Sequence, residues 1–184
     1  MRFNDRSEVA TRHAFLSPSQ SAWLRYDDQK LLAKLTSFRA ATRGTDLHAL
    51  AHEAIRLKIY LADTHSSLSE YVYDAIQFGM VCEQPLFYSP NCFGTPDTIS
   101  FSENVLRIHD LKTGIIPAKF EQLLVYAALF CLEYSIDPYA IDVVLRIYQG
   151  EGAKEFIPEP DEVSHVMDRI VYADNIILAY EEDM

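Results

Sequence analysis

Two neighbouring stretches decide how this chain is read: Gly94-Thr95-Pro96-Asp97 and Val105-Leu106-Arg107-Ile108-His109-Asp110-Leu111-Lys112-Thr113-Gly114. Residues 94–101 and 105–112 are two short strands rich in β-branched side chains, and Ser102-Glu103-Asn104 between them reads as a hairpin loop. Successive side chains of a strand point to opposite faces. Asp110 and Lys112 therefore share one face, Leu111 takes the other, and Asp97 stands on the partner strand of the same hairpin. Two carboxylates brought together from adjacent strands repel each other unless a cation lies between them. Oxygen ligands of this kind select Mg²⁺ or Mn²⁺. A lysine beside such a cation positions an attacking water and stabilises charge developing on a phosphoryl oxygen. An exposed, salt-bridged hairpin fits the same spacing, and on spacing alone the two readings stand level.

Working outward, the period of the pattern changes. Residues 80–88 read as a strand interrupted, or held at an edge, by Pro85. Residues 118–134 read as a helix with Phe120, Leu124, Ala127, Ala128 and Cys131 in one stripe. A strand over 141–149 turns through Gly150-Glu151-Gly152 into a shorter one near 153–157. A C-terminal helix over about 161–181 carries Val163, Val166, Met167, Ile170, Ala173 and Ile177.

Upstream, residues 1–16 read as a poorly ordered or weakly packed lead. Ser17-Pro18-Ser19-Gln20 has the form of a helix start, with Ser17 as cap, Pro18 in the first turn and Gln20 closing a capping box. Gly44 is expected to break that helix, Thr45-Asp46 to open a second, and a third is expected over 67–79. The result is an α/β chain, a mixed sheet with helices packed on it. It is expected to form one domain: a lead (1–16), a helical part (17–79), a sheet with its helix 118–134 (80–157) and a C-terminal helix (158–184).

Composition narrows the function classes. The 184 residues carry 16 basic and 27 acidic side chains, a net charge of −11, and are 49% apolar. That suits a folded domain with a proper core, not a disordered tail. There is no uninterrupted apolar run of membrane-spanning length, and 1–15 lacks the apolar stretch of a secretory signal, so a cytoplasmic protein with no membrane partner is expected. The three cysteines, Cys82, Cys92 and Cys131, form no CxxC and read as small buried hydrophobes. The acidic balance argues against coating of nucleic acid through bulk positive charge. Any meeting with DNA is expected to be local, through bound metal ions or with the help of another protein.

Two helical pairs add to the pattern. Gln122 and Tyr126 lie four apart on the helix that follows the sheet, on one face. His48 and His52 lie four apart on the second helix, but without the HExxH order of zinc proteases.

Taken in order, Gly44-Thr45-x-x-His48, Glu83, Gly94-x-Pro96-Asp97, Asp110-x-Lys112 and Gln122-x-x-x-Tyr126 resemble the RecB-like branch of the PD-(D/E)XK nucleases. That branch includes the nuclease domains of bacterial recombination helicases, CRISPR-associated RecB-like exonucleases and small phage proteins. The opening Leu16-Ser17-Pro18-Ser19 is similar as well, so the resemblance runs from residue 16 to about 150. It implies a restriction-endonuclease-like fold and a metal-dependent DNA nuclease, acting from an end by family analogy. It implies His48, Asp97, Asp110 and the Leu111 backbone carbonyl as ligands of Mg²⁺ or Mn²⁺, and Lys112 as the residue that positions or activates water. Gln122 and Tyr126 would orient Lys112 and touch the DNA backbone, and Glu83 would be an auxiliary carboxylate. His52 matches no motif position. The iron–sulfur variants of the family need four cysteines flanking the core, so no cluster is expected here. The setting implied is DNA recombination, repair or phage DNA processing in a cytoplasm, the host's for a phage protein. A protein partner or a homo-oligomer would assist.

Two other classes compete. His109-Asp110 is the dipeptide of HD-type phosphohydrolases, but those carry it on a helix, and strand alternation puts His109 on the opposite face from Asp110. The net charge of −11 favours a regulatory module that keeps the nuclease fold without turnover. The intact Asp97, Asp110 and Lys112 set argues against it.

Overall fold

The computed structural model describes residues 14–62, 66–114, 116–150 and 152–182. Its elements are α1 (Asp28–Leu57), α2 (Ser67–Gln77), β1 (Val81–Cys82), β2 (Leu86–Ser89), β3 (Cys92–Gly94), β4 (Thr98–Ser102), β5 (Val105–Lys112), α3 (Glu121–Tyr134), β6 (Asp142–Gln149), β7 (Gly152–Phe156) and α4 (Pro160–Glu182), with 3-10 helices at Pro18–Arg25 and Pro138–Ala140. This is the expected α/β class. The chain divides into two compact units, Met1–Thr45 and Asp46–Met184.

In the first unit the expected long helix from Ser17 is replaced by a 3-10 helix that stops at Arg25. Tyr26 is extended there, and the Asp27 carboxylate caps a new start by accepting from the Lys30 N–H at 2.7 Å. The Trp23 indole donates to the Ser17 carbonyl at 3.1 Å, and Phe15 meets Phe38 with ring centroids 5.6 Å apart. The lead over 1–13 and the capping role of Gln20 lie outside the described residues and side chains.

The break expected at Gly44 is also corrected: α1 runs through it without interruption. A helix-interior glycine costs roughly 1 kcal/mol relative to alanine, too little to end a long helix by itself. The Thr45 hydroxyl, expected to open a new helix, instead donates back to the Ala41 carbonyl at 3.2 Å.

In the second unit a five-stranded sheet has the order β1-β4-β5-β6-β7. β5 and β6 are parallel and every other pairing is antiparallel. A parallel pair needs a long crossover, and residues 113–141 with α3 supply it. The strand expected over 94–101 is in fact two. Gly94 ends β3, which pairs with β2 in a separate two-stranded sheet, and β4 begins at Thr98. Pro96 has no N–H for a ladder, so the chain changes sheets across it. The β4–β5 turn is Glu103-Asn104, both at positive φ (53° and 61°), the conformation of a type I′ hairpin turn.

The sheet buries both faces. Leu106, Ile108, Val143, Leu145 and Ile147 meet Leu123, Ala127, Ala128 and Cys131 of α3, together with Val163 of α4. Leu111 and Tyr148 on the other face meet Tyr71, Val72 and Ala75 of α2, with Ala51, Ala54 and Ile55 of α1. Ala127 and Ala128 are fully buried, and such small side chains let a helix lie close to the strands. No described helix is long and apolar enough to cross a membrane.

Candidate active site

The site grows from the end of β5. Ile108 and Leu106 anchor one face of this strand in the core, so the same face carries Asp110 and Lys112 beyond them. Leu111 is buried on the opposite face. Asp97 lies one residue before β4, and since Thr98 pairs with His109, Asp97 falls opposite Asp110. Its Oδ2 accepts the Leu111 N–H at 2.9 Å, which ties the carboxylate to the strand bearing Asp110. Leu111 thus contributes its backbone N–H to the placing of Asp97.

Asp110 is 3% exposed. The Lys112 ammonium stands 2.9 Å from its Oδ2 as an ion pair. Beyond that ion pair, this buried oxygen has no hydrogen-bond partner among the described residues. Burial pushes the Asp110 carboxyl above its ordinary value, and the charge of Asp97 pushes it the same way. Lys112 and His48 pull in the other direction. Lys112 Nζ also donates to Gln122 Oε1 at 3.2 Å, and Gln122 Nε2 donates to the Tyr126 hydroxyl at 3.2 Å. The four-residue spacing on α3 therefore builds a relay from Tyr126 to Lys112 to Asp110.

On the other side, His48 of α1 places Nδ1 3.5 Å from Asp97 Oδ2. Glu83 is brought near the site by its backbone rather than its carboxylate. Its N–H donates to the Asp97 carbonyl at 3.0 Å, with Glu83 itself at φ 51°. The Glu83 side chain is 68% exposed and lies 3.5 Å from His52 Nδ1. His52, which matches no family motif, thus sits on the rim as the partner of Glu83, its ring 6.2 Å from that of His48. The four-residue spacing of the two histidines was the available signal.

Gly94 has a role that spacing did not disclose. An ideal Cβ built there would lie 2.9 Å from Tyr126 Cε1, so only glycine lets this ring lie against the β3 backbone.

His109 points away from all of this. It is fully buried on the other face of β5. The Tyr148 hydroxyl donates to Asp74 at 2.6 Å, so its oxygen accepts from His109 Nδ1–H at 3.2 Å. Arg146 donates to the same Asp74 oxygen at 2.7 Å. Burial, followed by the charges of Arg146 and Arg107, lowers His109 to about 3. A neutral imidazole behind the strand does not share ligands with Asp110, so the HD arrangement is not built.

Among the described residues no three His, Cys, Asp or Glu side chains are already gathered as a metal cage. The donor set nonetheless fits a hard cation. It offers two carboxylates that repel across paired strands, a buried Asp110 oxygen with only an ion pair, and an imidazole beside Asp97. Of the free thiols, Cys131 is buried in the α3 core and Cys92 is half-buried in β3, while Cys82 is half-buried in β1 opposite Thr98, beside Asp97. No protein-family model, curated protein or solved structure matches this chain.

Proposed function

We propose that this chain is a metal-dependent deoxyribonuclease of the PD-(D/E)XK, RecB-like type, hydrolysing DNA phosphodiester bonds from an end. One observation carries the reading: Asp97 and Asp110 stand opposite each other at a sheet end, with Lys112 on the same face and aimed by Gln122 and Tyr126.

Asp97, Asp110 and His48 would hold Mg²⁺ or Mn²⁺, with the Leu111 carbonyl as a further oxygen donor. Bound there, such a cation would supply neutralisation of the charge on the phosphoryl and leaving oxygens. The rest belongs to the chain. Leu111 N–H fixes Asp97 and keeps one of its lone pairs occupied. Gln122 holds Lys112 from the helix side, so the ammonium is directed toward the carboxylate pair. There it orients a water and stabilises negative charge as the water oxygen bonds to phosphorus and the P–O ester bond breaks. The attacking water loses a proton to solvent, and the departing oxygen takes one up. The expected setting is DNA recombination, repair or phage DNA processing in the cytoplasm.

The second reading, a module that retains the fold without turnover, is favoured by the charge of −11 and the ungathered ligands. End-labelled linear DNA and closed circular DNA, incubated with Mg²⁺, Mn²⁺ or chelator, separate the two. The nuclease reading expects metal-dependent loss of the linear form while circles persist. Binding without cleavage under every metal condition supports the regulatory module. Hydrolysis confined to free nucleotides contradicts both readings.

A further inference from the structure

We propose that the groove between α3, α4 and the β2–β3 turn is a docking pocket for a lysine side chain of a protein partner. Its residues take no part in the carboxylate site, so the proposal stands whether or not DNA is cut. The groove has a volume of about 280 Å³, with Val125 of α3 and Val166, Ile170, Ala173 and Ile177 of α4 in its walls. Asp174 lines it as well, and this residue is only 7% exposed. The hairpin turn holds the carboxylate still. Its Oδ1 accepts from the Ser89 hydroxyl at 2.7 Å and from the Asn91 side-chain amide at 3.0 Å. The Asn91 backbone N–H donates to Ser89 Oγ at 3.2 Å, so the two donors brace each other. Oδ2 has no hydrogen-bond or ion-pair partner among the described residues, yet solvent reaches it. Arg169 also lines the groove, but its guanidinium lies over the Tyr172 ring, 5.2 Å from the centroid.

A tether between hairpin and helix does not need a charge here. An asparagine oxygen would accept the same two donors without the cost of burying an anion among apolar side chains. The charge is explained by an occupant, and three features define it. The first is sign: a carboxylate with two neutral donors and no counter-ion calls for a cation. The second is the single free oxygen. A guanidinium pairs best with both oxygens of a carboxylate, and Oδ1 is already taken twice. An ammonium is a point charge and needs only Oδ2. The third is the walls. An alkyl stem lies along Val166, Ile170 and Ile177 while its charged head reaches the carboxylate. The volume falls below that of ordinary small-molecule pockets and suits one side chain. A net charge of −11 draws basic protein surfaces toward this chain, which makes a partner's lysine the source.

The test titrates the ¹⁵N-labelled full chain with a capped Ala-Ala-Lys-Ala-Ala peptide and with its norleucine and arginine counterparts. A further arm uses n-butylammonium, which has the lysine stem and head without a backbone. Binding is read from the amide shifts of Cys92, Ala173 and Ile177. The lysine peptide should bind about tenfold or more tightly than the norleucine peptide, the scale of one charge-assisted hydrogen bond. It should also bind more tightly than the arginine peptide and than n-butylammonium. Asp174→Asn keeps an oxygen for Ser89 and Asn91 and should abolish the preference for lysine over norleucine. Ile177→Lys, at a 39% exposed position three residues along the helix, should block the peptide by bringing its own ammonium to Asp174. That variant decides the question if Asp174→Asn fails to fold. No shift at the groove amides overturns the proposal, as does equal affinity for the lysine and norleucine peptides or undiminished binding in either folded variant. Tighter binding of the arginine peptide overturns the single-oxygen argument. Equal binding of n-butylammonium overturns the protein partner and makes the occupant a free amine.

Discussion

Replacing Gly94 with alanine isolates the relay that aims Lys112. The new Cβ would sit 2.9 Å from Tyr126 Cε1, where ordinary contact begins at 3.4 Å, so the ring must withdraw by about 0.5 Å. Tyr126 is half-buried at the margin of the α3 core, so the ring can give way and the fold should lose about 1 kcal/mol. The hydroxyl cannot follow so cheaply. Its bond from Gln122 is already 3.2 Å long, and a further half ångström takes it past the range of a hydrogen bond. One such bond is worth about 0.5–1.5 kcal/mol net, or roughly 2- to 10-fold in rate if it is fully expressed in the transition state. The assay is steady-state cleavage of a linear oligonucleotide, with thermal unfolding and Mn²⁺ titration on the same preparations. The expected outcome is a fall in kcat of that size, an unchanged Mn²⁺ affinity and a Tm within a few degrees of wild type. Tyr126→Phe should lose as much, and the double variant no more than either alone, since both cut one link. Wild-type kcat in Gly94→Ala, or losses that multiply in the double variant, would refute the relay.

Other outcomes follow from the same geometry. Asp110→Asn should raise the Tm of the chelator-treated protein, because a neutral amide removes both the burial cost of the charge and its repulsion with Asp97; a lower Tm contradicts this. His109 is lowered to about 3, so an unfolded chain takes up a proton below an ordinary imidazole value of about 6.5 that the folded chain refuses. Stability from this residue is therefore complete above that value and lost as pH falls toward 3. Urea unfolding between these limits should show a flatter acid limb in His109→Asn, and parallel limbs would sink the assignment. The purified protein should have no visible absorption band, given three cysteines of which none neighbours another in sequence; a brown colour bleached by chelation would reverse that.

How much of this was legible in the sequence depended on the range of the interaction. Period-two alternation placed Asp110 and Lys112 on one face of β5 and His109 and Leu111 on the other, because Leu106 and Ile108 must enter the core. The four-residue step on α3 likewise set Gln122 beneath Tyr126. Punctuation was less reliable. Gly44 reads as a breaker, yet its local cost is small beside continuing a thirty-residue helix. Pro96 reads as a residue within one strand, whereas it marks the passage from one sheet to another. Contacts between residues distant in sequence left no pattern at all. The approach of Gly94 to Tyr126, the pairing of His52 with Glu83 and the Asp74–Tyr148–His109 network all needed the tertiary structure.

The central claim is that Asp97 and Asp110 hold a cation while Lys112 serves the chemistry, and Mn²⁺ calorimetry paired with cleavage on four variants tests it directly. Asp97→Asn and Asp110→Asn should lose both metal affinity and cleavage, since a neutral amide oxygen is the weaker donor to a hard cation. His48→Ala should weaken metal binding less, because the carboxylates supply the negative charge. Lys112→Ala should bind Mn²⁺ as well as wild type or better, having lost an ammonium 2.9 Å from Asp110. Its cleavage should fall by about two orders of magnitude, the scale of removing an electrostatic stabiliser. Normal cleavage by Lys112→Ala, or wild-type metal binding and cleavage by Asp110→Asn, would contradict the assignment and leave β4–β5 a salt-bridged hairpin.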